Sequence, residues 1–240
     1  MVPELPRVIG HRGAAGLAPE NTLAGLRVAA AAGCTWVEVD VRLSADGVPV
    51  LHHDPALARG RTHAEHIAHL TAAELARTDV GARFSPAFAG CTVPPLWAAL
   101  AEAADLGLGV NLELKADDGD PDGLVAATAA VLAGLESAPP LLISSFEQPA
   151  VAAARRRLPD IPRAVLVRRI PANWRERLES LGCCALNVGN RDAGAAGVAA
   201  VRAAGFAVTV YTVNDPRRAR RLWDWGVTSV FTDRPDRVRG

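Results

Sequence analysis

Two short stretches of this 240-residue sequence set acidic side chains two positions apart. In Trp36-Val37-Glu38-Val39-Asp40-Val41 a β-strand turns Glu38 and Asp40 to one face and the three valines to the other, because successive side chains alternate across a strand. Val110-Asn111-Leu112-Glu113-Leu114-Lys115 repeats the pattern with Asn111, Glu113 and Lys115. Carboxylates packed together repel one another and stay partly protonated. A divalent cation removes that cost, and hard cations such as Mg²⁺ or Ca²⁺ take oxygen ligands of this kind. The plain alternative is a structural network in which Lys115 and an arginine neutralise the acids. That alternative suffices for one Glu-x-Asp, whereas two such strand faces in one fold favour a site.

His11 and Arg12 follow a first apolar run, and His53 and Asp54 follow another at 48–52. Imidazole titrates near neutrality, so two histidines at one rim can divide general-base and general-acid work. As mere hydrogen-bond caps they would need no such partner. Arg12 beside His11, and Lys115 near the acids, suit an anionic oxygen pair such as a phosphate.

The elements that must position these groups alternate regularly. Strand patterns fall at 7–10, 36–41, 109–114, 141–145, 163–167, 185–188, 207–212 and 229–232, and Ala-rich helical patterns at 20–32, 95–106, 122–135, 148–157, 173–181, 195–204 and 216–225. Asn21-Thr22 and Asp215-Pro216 read as helix starts. Gly33, Gly107, Gly182, Gly205 and Gly226 stand where a left-handed residue ends a helix. Eight strand–helix units in this length predict a closed (β/α)8 TIM barrel of the α/β class. The absence of Gly-x-Gly-x-x-Gly after the first strand speaks against an open doubly wound sheet. One segment breaks the rhythm: an extra strand at 48–52, then residues 54–92 with a short helix at 72–77. It reads as an insertion over the barrel mouth, after the second strand, within a single domain spanning 1–240.

Composition narrows the partners. Lys plus Arg equals Asp plus Glu, 26 each, so no general field attracts nucleic acid or an anionic membrane surface. No apolar run reaches the roughly 18 residues of a membrane span, and the first residues lack the basic and apolar regions of a signal peptide. Cys34, Cys91, Cys183 and Cys184 form no CxxC pair; a reduced, cytoplasmic thiol set is expected. His63, His66 and His69, spaced by three, could share a helical side, but no acid or cysteine completes a zinc set, so they read as a polar face. The arginines at 155–157 and 217–221 read as solvated helix faces. Trp223 and Trp225 cannot both face the core of a regular helix, which makes one of them a candidate homo-oligomer contact.

In chain order the sequence carries Gly-His-Arg-Gly at 10–13, Pro-Glu-Asn-Thr at 19–22, Glu-Val-Asp-Val at 38–41 and His-His-Asp-Pro at 52–55. Then come Leu-Thr-Ala-Ala-Glu-Leu at 70–75, Leu-Glu-Leu-Lys at 112–115, Ser-Ser-Phe at 144–146, Tyr-Thr-Val-Asn at 211–214 and Phe-Thr-Asp-Arg-Pro at 231–235. Each piece is weak alone; nine in order resemble the glycerophosphodiester phosphodiesterase family over nearly the whole chain. The resemblance implies metal-dependent hydrolysis of a small-molecule glycerophosphodiester to sn-glycerol 3-phosphate and an alcohol. It implies Glu38, Asp40 and Glu113 as metal ligands and His11 and His53 as the acid–base pair, His53 rather than His52 because it directly precedes the aspartate. Arg12 and Lys115 would hold the phosphate, Glu20 and Asn21 would shape the loop beneath it, and Phe146 and Tyr211 would line the glycerol or leaving-group side. The chain departs from the family pattern at Tyr211, often Trp, at Thr228, often Asp, at Trp97, often acidic, and at 62–66, where Thr-His-Ala-Glu-His replaces a Thr-Gly-x-Gly pattern. Three rivals remain: a lysophospholipase D on the same scaffold, a metal-free Schiff-base aldolase using Lys115, and a non-catalytic phosphodiester-binding barrel.

Overall fold

The computed structural model describes residues 4–59, 63–116 and 119–240. Its eight parallel strands are β1 (Val8–Gly10), β2 (Trp36–Leu43), β6 (Gly109–Leu114), β7 (Leu141–Ser145), β8 (Arg163–Val167), β9 (Ala185–Gly189), β10 (Ala207–Tyr211) and β11 (Ser229–Thr232). They pair in that cyclic order, and β1 bonds both β11 and β2, which closes the barrel. The (β/α)8 expectation holds. β3 (Pro49–Leu51) runs antiparallel along β2 outside the closed ring.

Helices α1 (Leu23–Ala31), α3 (Leu96–Asp105), α4 (Pro121–Ala133), α5 (Gln148–Arg157), α6 (Trp174–Leu181), α7 (Ala195–Ala203) and α8 (Pro216–Asp224) follow successive strands. Gly33, Gly107, Gly182, Gly205 and Gly226 all have positive φ where helices give way to strands, as their positions foretold. Val37, Val39 and Val41 pack outward with Leu26, Leu96 and Leu100 in one cluster of buried side chains. Their neighbours Glu38 and Asp40 are therefore committed to the interior. The bottom of the barrel is filled by Ile9, Trp36, Leu142 and Phe231. Trp36 fits because residue 109 is glycine: a Cβ there would lie 2.3 Å from the indole ring.

Several expectations need correction. The first helix starts at Leu23, not residue 20, with Thr22 as N-cap accepting from the Gly25 N–H. Asn21 has φ 54°, which no right-handed helix accommodates. The segment between β3 and α3 holds a hairpin not foreseen in the sequence, β4 (Ala56–Arg59) with β5 (His63–His66), besides α2 (Ala72–Leu75). His63 and His66 thus lie on a strand and His69 ends a 3-10 turn, so the three share no helical side; Thr62 lies outside the described residues, as do Met1, Val2 and Pro3 at the chain start. Leu57, Ile67, Leu70, Leu75 and Val93 bury one another and join the barrel through Val50 on β3.

Trp223 and Trp225 both pack against the core, because Trp225 is the C-cap of α8 rather than a residue of its regular body. Arg7 lies over the first ring at 5.5 Å and Arg218 over the second at 4.9 Å. Both rings are half-buried. Arg218 also donates to the Asn190 side chain and to two carbonyls, so it is no solvated member of its helix face. The four cysteines are free thiols. Among the described residues no helix is long and apolar enough to cross a membrane.

Candidate active site

The parallel register of β2 and β6 pairs Glu38 with Asn111 and Asp40 with Glu113. Two i, i+2 patterns on adjacent strands therefore become one four-membered patch at the C-terminal end of the barrel. One carboxylate oxygen each of Glu38, Asp40 and Glu113 lie within 4.8 Å of one another. All three residues are buried.

Their surroundings differ sharply. Asp40 is held from every side: Asn21 Nδ2 donates to its Oδ2 at 2.8 Å, Lys115 Nζ lies 3.1 Å from Oδ1 and Arg12 Nε lies 3.4 Å from Oδ2. Burial pushes this carboxyl up, but Lys115, Arg12 and His53 outweigh it and hold it below the usual range. Glu113 takes the Lys115 ammonium, yet burial and the charge on Asp40 raise its carboxyl. Glu38 accepts the Arg12 backbone N–H on Oε2, at 2.9 Å, and its buried Oε1 has no hydrogen-bond partner among the described residues. Burial, then the charge on Asp40, push its carboxyl up to about 8. Three acids face two fixed cations, and Glu38, the one left without a cation against it, holds its proton instead. A buried, orphaned carboxylate oxygen costs several kcal/mol unless something positive meets it. The donor set, three clustered carboxylates and no thiolate, fits a hard divalent cation.

Both histidines reach this patch. His11 follows β1; its Nδ1 is 2.6 Å from Asp233 Oδ1 and its Nε2 3.9 Å from Glu38 Oε2. Burial lowers this imidazole, but the Asp233 bond and the charge of Glu38 outweigh that and raise it. His53 follows β3, with Nδ1 2.7 Å from Asp54 Oδ1. Burial pulls it down, and Arg12 and Lys115 add to that against the opposing charge of Asp40, leaving it below 6.5. Its carbonyl accepts from buried Arg42 at 3.0 Å (Nε) and 2.7 Å (Nη2), which pins the turn. His53 shares a cavity wall with Lys115 and Phe146, whereas His52 lines a separate cavity.

The loop after β1 is strained where it serves the patch. Arg12 has φ 50° and Asn21 φ 54°, both left-handed, and such conformations in non-glycine residues persist only where the surroundings impose them. Gly13 has φ 83° and a Cβ there would meet the Gly25 backbone at 2.8 Å. The fold lets Arg12 offer its backbone N–H to Glu38 and its Nη1 to Glu20 Oε2, at 2.9 Å each. Asn21 answers with two hydrogen bonds to Asp40, donating from Nδ2 and accepting the Asp40 N–H on Oδ1 at 3.0 Å. At the opposite rim Phe146 and Tyr211 meet edge to face at 6.0 Å, and the tyrosine hydroxyl donates to the Val167 carbonyl at 2.9 Å. Lys115 Nζ stands 6.0 Å from the Phe146 ring.

All eleven site residues singled out in the sequence thus gather at one barrel end. Three participants were missed. Asp233 holds His11, and Asn214 Nδ2 in turn holds Asp233 Oδ2 at 2.7 Å; its only signal was membership of the Phe-Thr-Asp-Arg-Pro stretch. Arg42 was visible as a charge on the inward face of β2. Asn187, buried with an unpartnered Nδ2, lines a cavity of about 20 Å³ together with Glu38, Asn111 and Tyr211. A polar residue inside Ala-Leu-Asn-Val was the available hint.

The chain is similar to known proteins in sequence and fold. The family model described as "Glycerophosphoryl diester phosphodiesterase family" matches residues 11–237. A solved structure of an Oleispira antarctica phosphodiesterase, in complex with the product sn-glycerol-3-phosphate, superposes with a TM-score of 0.94 at 39% identity, covering 98% of this chain and 95% of that one. An Agrobacterium tumefaciens glycerophosphodiester phosphodiesterase structure gives a TM-score of 0.78 at 26% identity, over 97% and 98% of the two chains. A Bacillus subtilis glycerophosphodiester phosphodiesterase is 28% identical over 253 residues, 98% of this chain and 85% of that protein.

Proposed function

Because the chain belongs to the glycerophosphoryl diester phosphodiesterase family, we propose that it hydrolyses small-molecule glycerophosphodiesters to sn-glycerol 3-phosphate and an alcohol, with a divalent cation and two histidines. The observation that carries this is the convergence of three buried carboxylates, one with an oxygen that has no partner among the described residues, with two imidazoles at the end of one barrel. The product bound in the Oleispira relative agrees with it. Residues 1–240 act as one barrel domain, with 54–92 inserted over the mouth.

Glu38, Asp40 and Glu113 would hold the cation, Mg²⁺ or Ca²⁺. When bound it would draw charge from a non-bridging phosphate oxygen. Arg12 and Lys115 stand beside the same carboxylates and supply positive charge to the remaining phosphate oxygens. Glu20 and Asn21 keep the Arg12 loop in its left-handed form, and Phe146 with Tyr211 walls the glycerol side. The two imidazoles are pushed apart, which is how one site supplies an acid and a base at one pH. His53, lowered, takes the proton of the attacking oxygen as the new P–O bond forms. His11, raised and backed by Asp233, delivers a proton to the departing oxygen as the old P–O bond breaks. Neither product then leaves as a free alkoxide.

The rivals fare less well. Lys115 is largely enclosed, which lowers it, but Asp40 and Glu113 outweigh that and raise it above its ordinary value, which keeps it an ammonium and unfit to attack a carbonyl. Leu57 and Phe84 border one cavity, but Glu20, Asp54, Asp79 and Arg83 line it with them, and that charged lining disfavours an acyl chain. The test is release of glycerol 3-phosphate from several glycerophosphodiesters with Mg²⁺ or Ca²⁺, then with chelator. Turnover unaffected by chelation, or none with either ion, refutes the proposal.

A further inference from the structure

Two cavities flank the turn that carries His53. One, of about 380 Å³, is walled by Lys115, Arg168, Arg42, Phe146 and Glu147 as well as His53. The other, of about 370 Å³, opens between the loop after β1 and residues 78–93 of the insertion, and Glu20, Asn21 and His52 form its inner wall. Asp54 stands between them and borders both. A phosphodiester centred on the carboxylate patch has two arms. The second cavity begins one side chain away from that patch, since Asn21 bonds Asp40 and Glu20 bonds Arg12.

The two cavities differ in charge. In the first, the three cationic groups of Arg42, Lys115 and Arg168 face two acids, Glu147 and Asp54. In the second, Glu20, Asp54 and Asp79 face one guanidinium among the described residues, Arg83, beside the Phe84 ring, which is 43% exposed. Asp79 is fixed in place by the N–H groups of Gly81, Ala82 and Gly90, so its charge cannot swing away. A cationic group is repelled from the first cavity and attracted to the second, where an aromatic face and fixed carboxylates recognise ammonium. The neutral, hydroxyl-rich glycerol arm suffers no such sorting.

We propose that the cavity between the β1 loop and the insertion seats the departing alcohol, and that it selects alcohols bearing a cationic amine. This rests on the phosphodiesterase reading and extends it to the half of the substrate that reading leaves open. The test compares kcat/KM for glycerophosphocholine and glycerophosphoethanolamine with that for glycerophosphoglycerol and glycerophosphoinositol. The wild type is expected to favour the cationic pair several-fold, and the margin shrinks as salt screens the walls. Phe84→Lys, at an exposed position outside the reaction centre, is expected to lower kcat/KM for the choline ester by roughly tenfold or more while the glycerol ester stays within about threefold. Phe84→Leu falls between. Equal or reversed preference in the wild type overturns the proposal whether or not the lysine variant folds. So does an equal effect of Phe84→Lys on both classes. Absence of turnover on all four esters instead removes the underlying phosphodiesterase reading, and this proposal with it.

Discussion

Replacing Asp233 by Asn tests how the acid of the pair is built. Whichever ring nitrogen carries hydrogen at rest, the imidazolium of His11 needs an acceptor at Nδ1, and Asp233 Oδ1 at 2.6 Å is that acceptor. Both side chains are largely enclosed, at 15% and 27% exposure, so solvent replaces little of the lost interaction. A hydrogen bond between charged groups contributes about 1.5–3 kcal/mol, and about 1.4 kcal/mol is a factor of ten. The variant should therefore lose roughly 10- to 150-fold in kcat/KM, with kcat carrying most of it because the Asp233 carboxylate is engaged by His11 and Asn214. The Asp233 bond is the largest influence raising His11, so the alkaline limb of the pH–rate profile should move to lower pH. Steady-state release of glycerol 3-phosphate from pH 5 to 9 reads both effects, with melting temperature as the control for folding. Combined with His11→Ala, the Asp233 change should cost nothing further, since the two act as a unit. Undiminished kcat with an unmoved alkaline limb, or fully additive losses in the double variant, would refute the reasoning.

Other outcomes follow from the same geometry. His53→Ala should remove about 10²- to 10⁴-fold of turnover and flatten the acid limb, because the base works only above its lowered pKa; His11→Ala should do the same to the alkaline limb, and interchanged limbs would reverse the assignment. Glu38 titrates near 8 in the folded chain against about 4.5 ordinarily, so the folded state binds the extra proton between those values and the metal-free protein should lose melting temperature as pH rises through that window. Glu38→Gln should blunt that slope and also diminish the stabilisation that added Mg²⁺ or Ca²⁺ confers, read by thermal melts without any activity measurement. Leu112→Ala, at a fully buried site in the outer core, should cost about 2–5 kcal/mol in urea unfolding with little change in KM. Tyr211→Phe removes one hydroxyl bond to the Val167 carbonyl and should cost about 1 kcal/mol while leaving most turnover.

The barrel was legible because its signals are local. Val37, Val39 and Val41 alternate with Glu38 and Asp40, and the five helix-ending glycines mark boundaries through backbone sterics alone. The carboxylate patch was legible for the same reason, since β2 and β6 each declare an inward face. What the sequence concealed depends on distant partners. Asp233 meets His11 across 222 positions, and nothing in either neighbourhood announces the other. The left-handed turn at Asn21 overrode a helix pattern because Asp40 claims its side chain. The β4–β5 hairpin was missed where residues 54–92 show no clean alternation, and the fate of Trp225 turned on one residue of helix length. Arg218 looked like part of a charged surface run until Asn190 and Ala193 came within its reach.

The closure of the barrel is uneven. β2 and β6 are in register over six residue pairs, whereas β1 meets β2 at Gly10 and Val37 alone. The ring is thus thinnest where its first strand joins its second, and that seam lies between His11 and Glu38. Bonds from the loop after β1 bridge it in place of ladder bonds: the Arg12 N–H reaches the Glu38 side chain, the Asn21 side chain reaches Asp40, and the Gly13 N–H reaches the Glu38 carbonyl at 3.1 Å. A cation or phosphate gripped by both sides would rivet the join, so ligand should slow amide exchange there first and leave the β6–β7 side nearly unchanged.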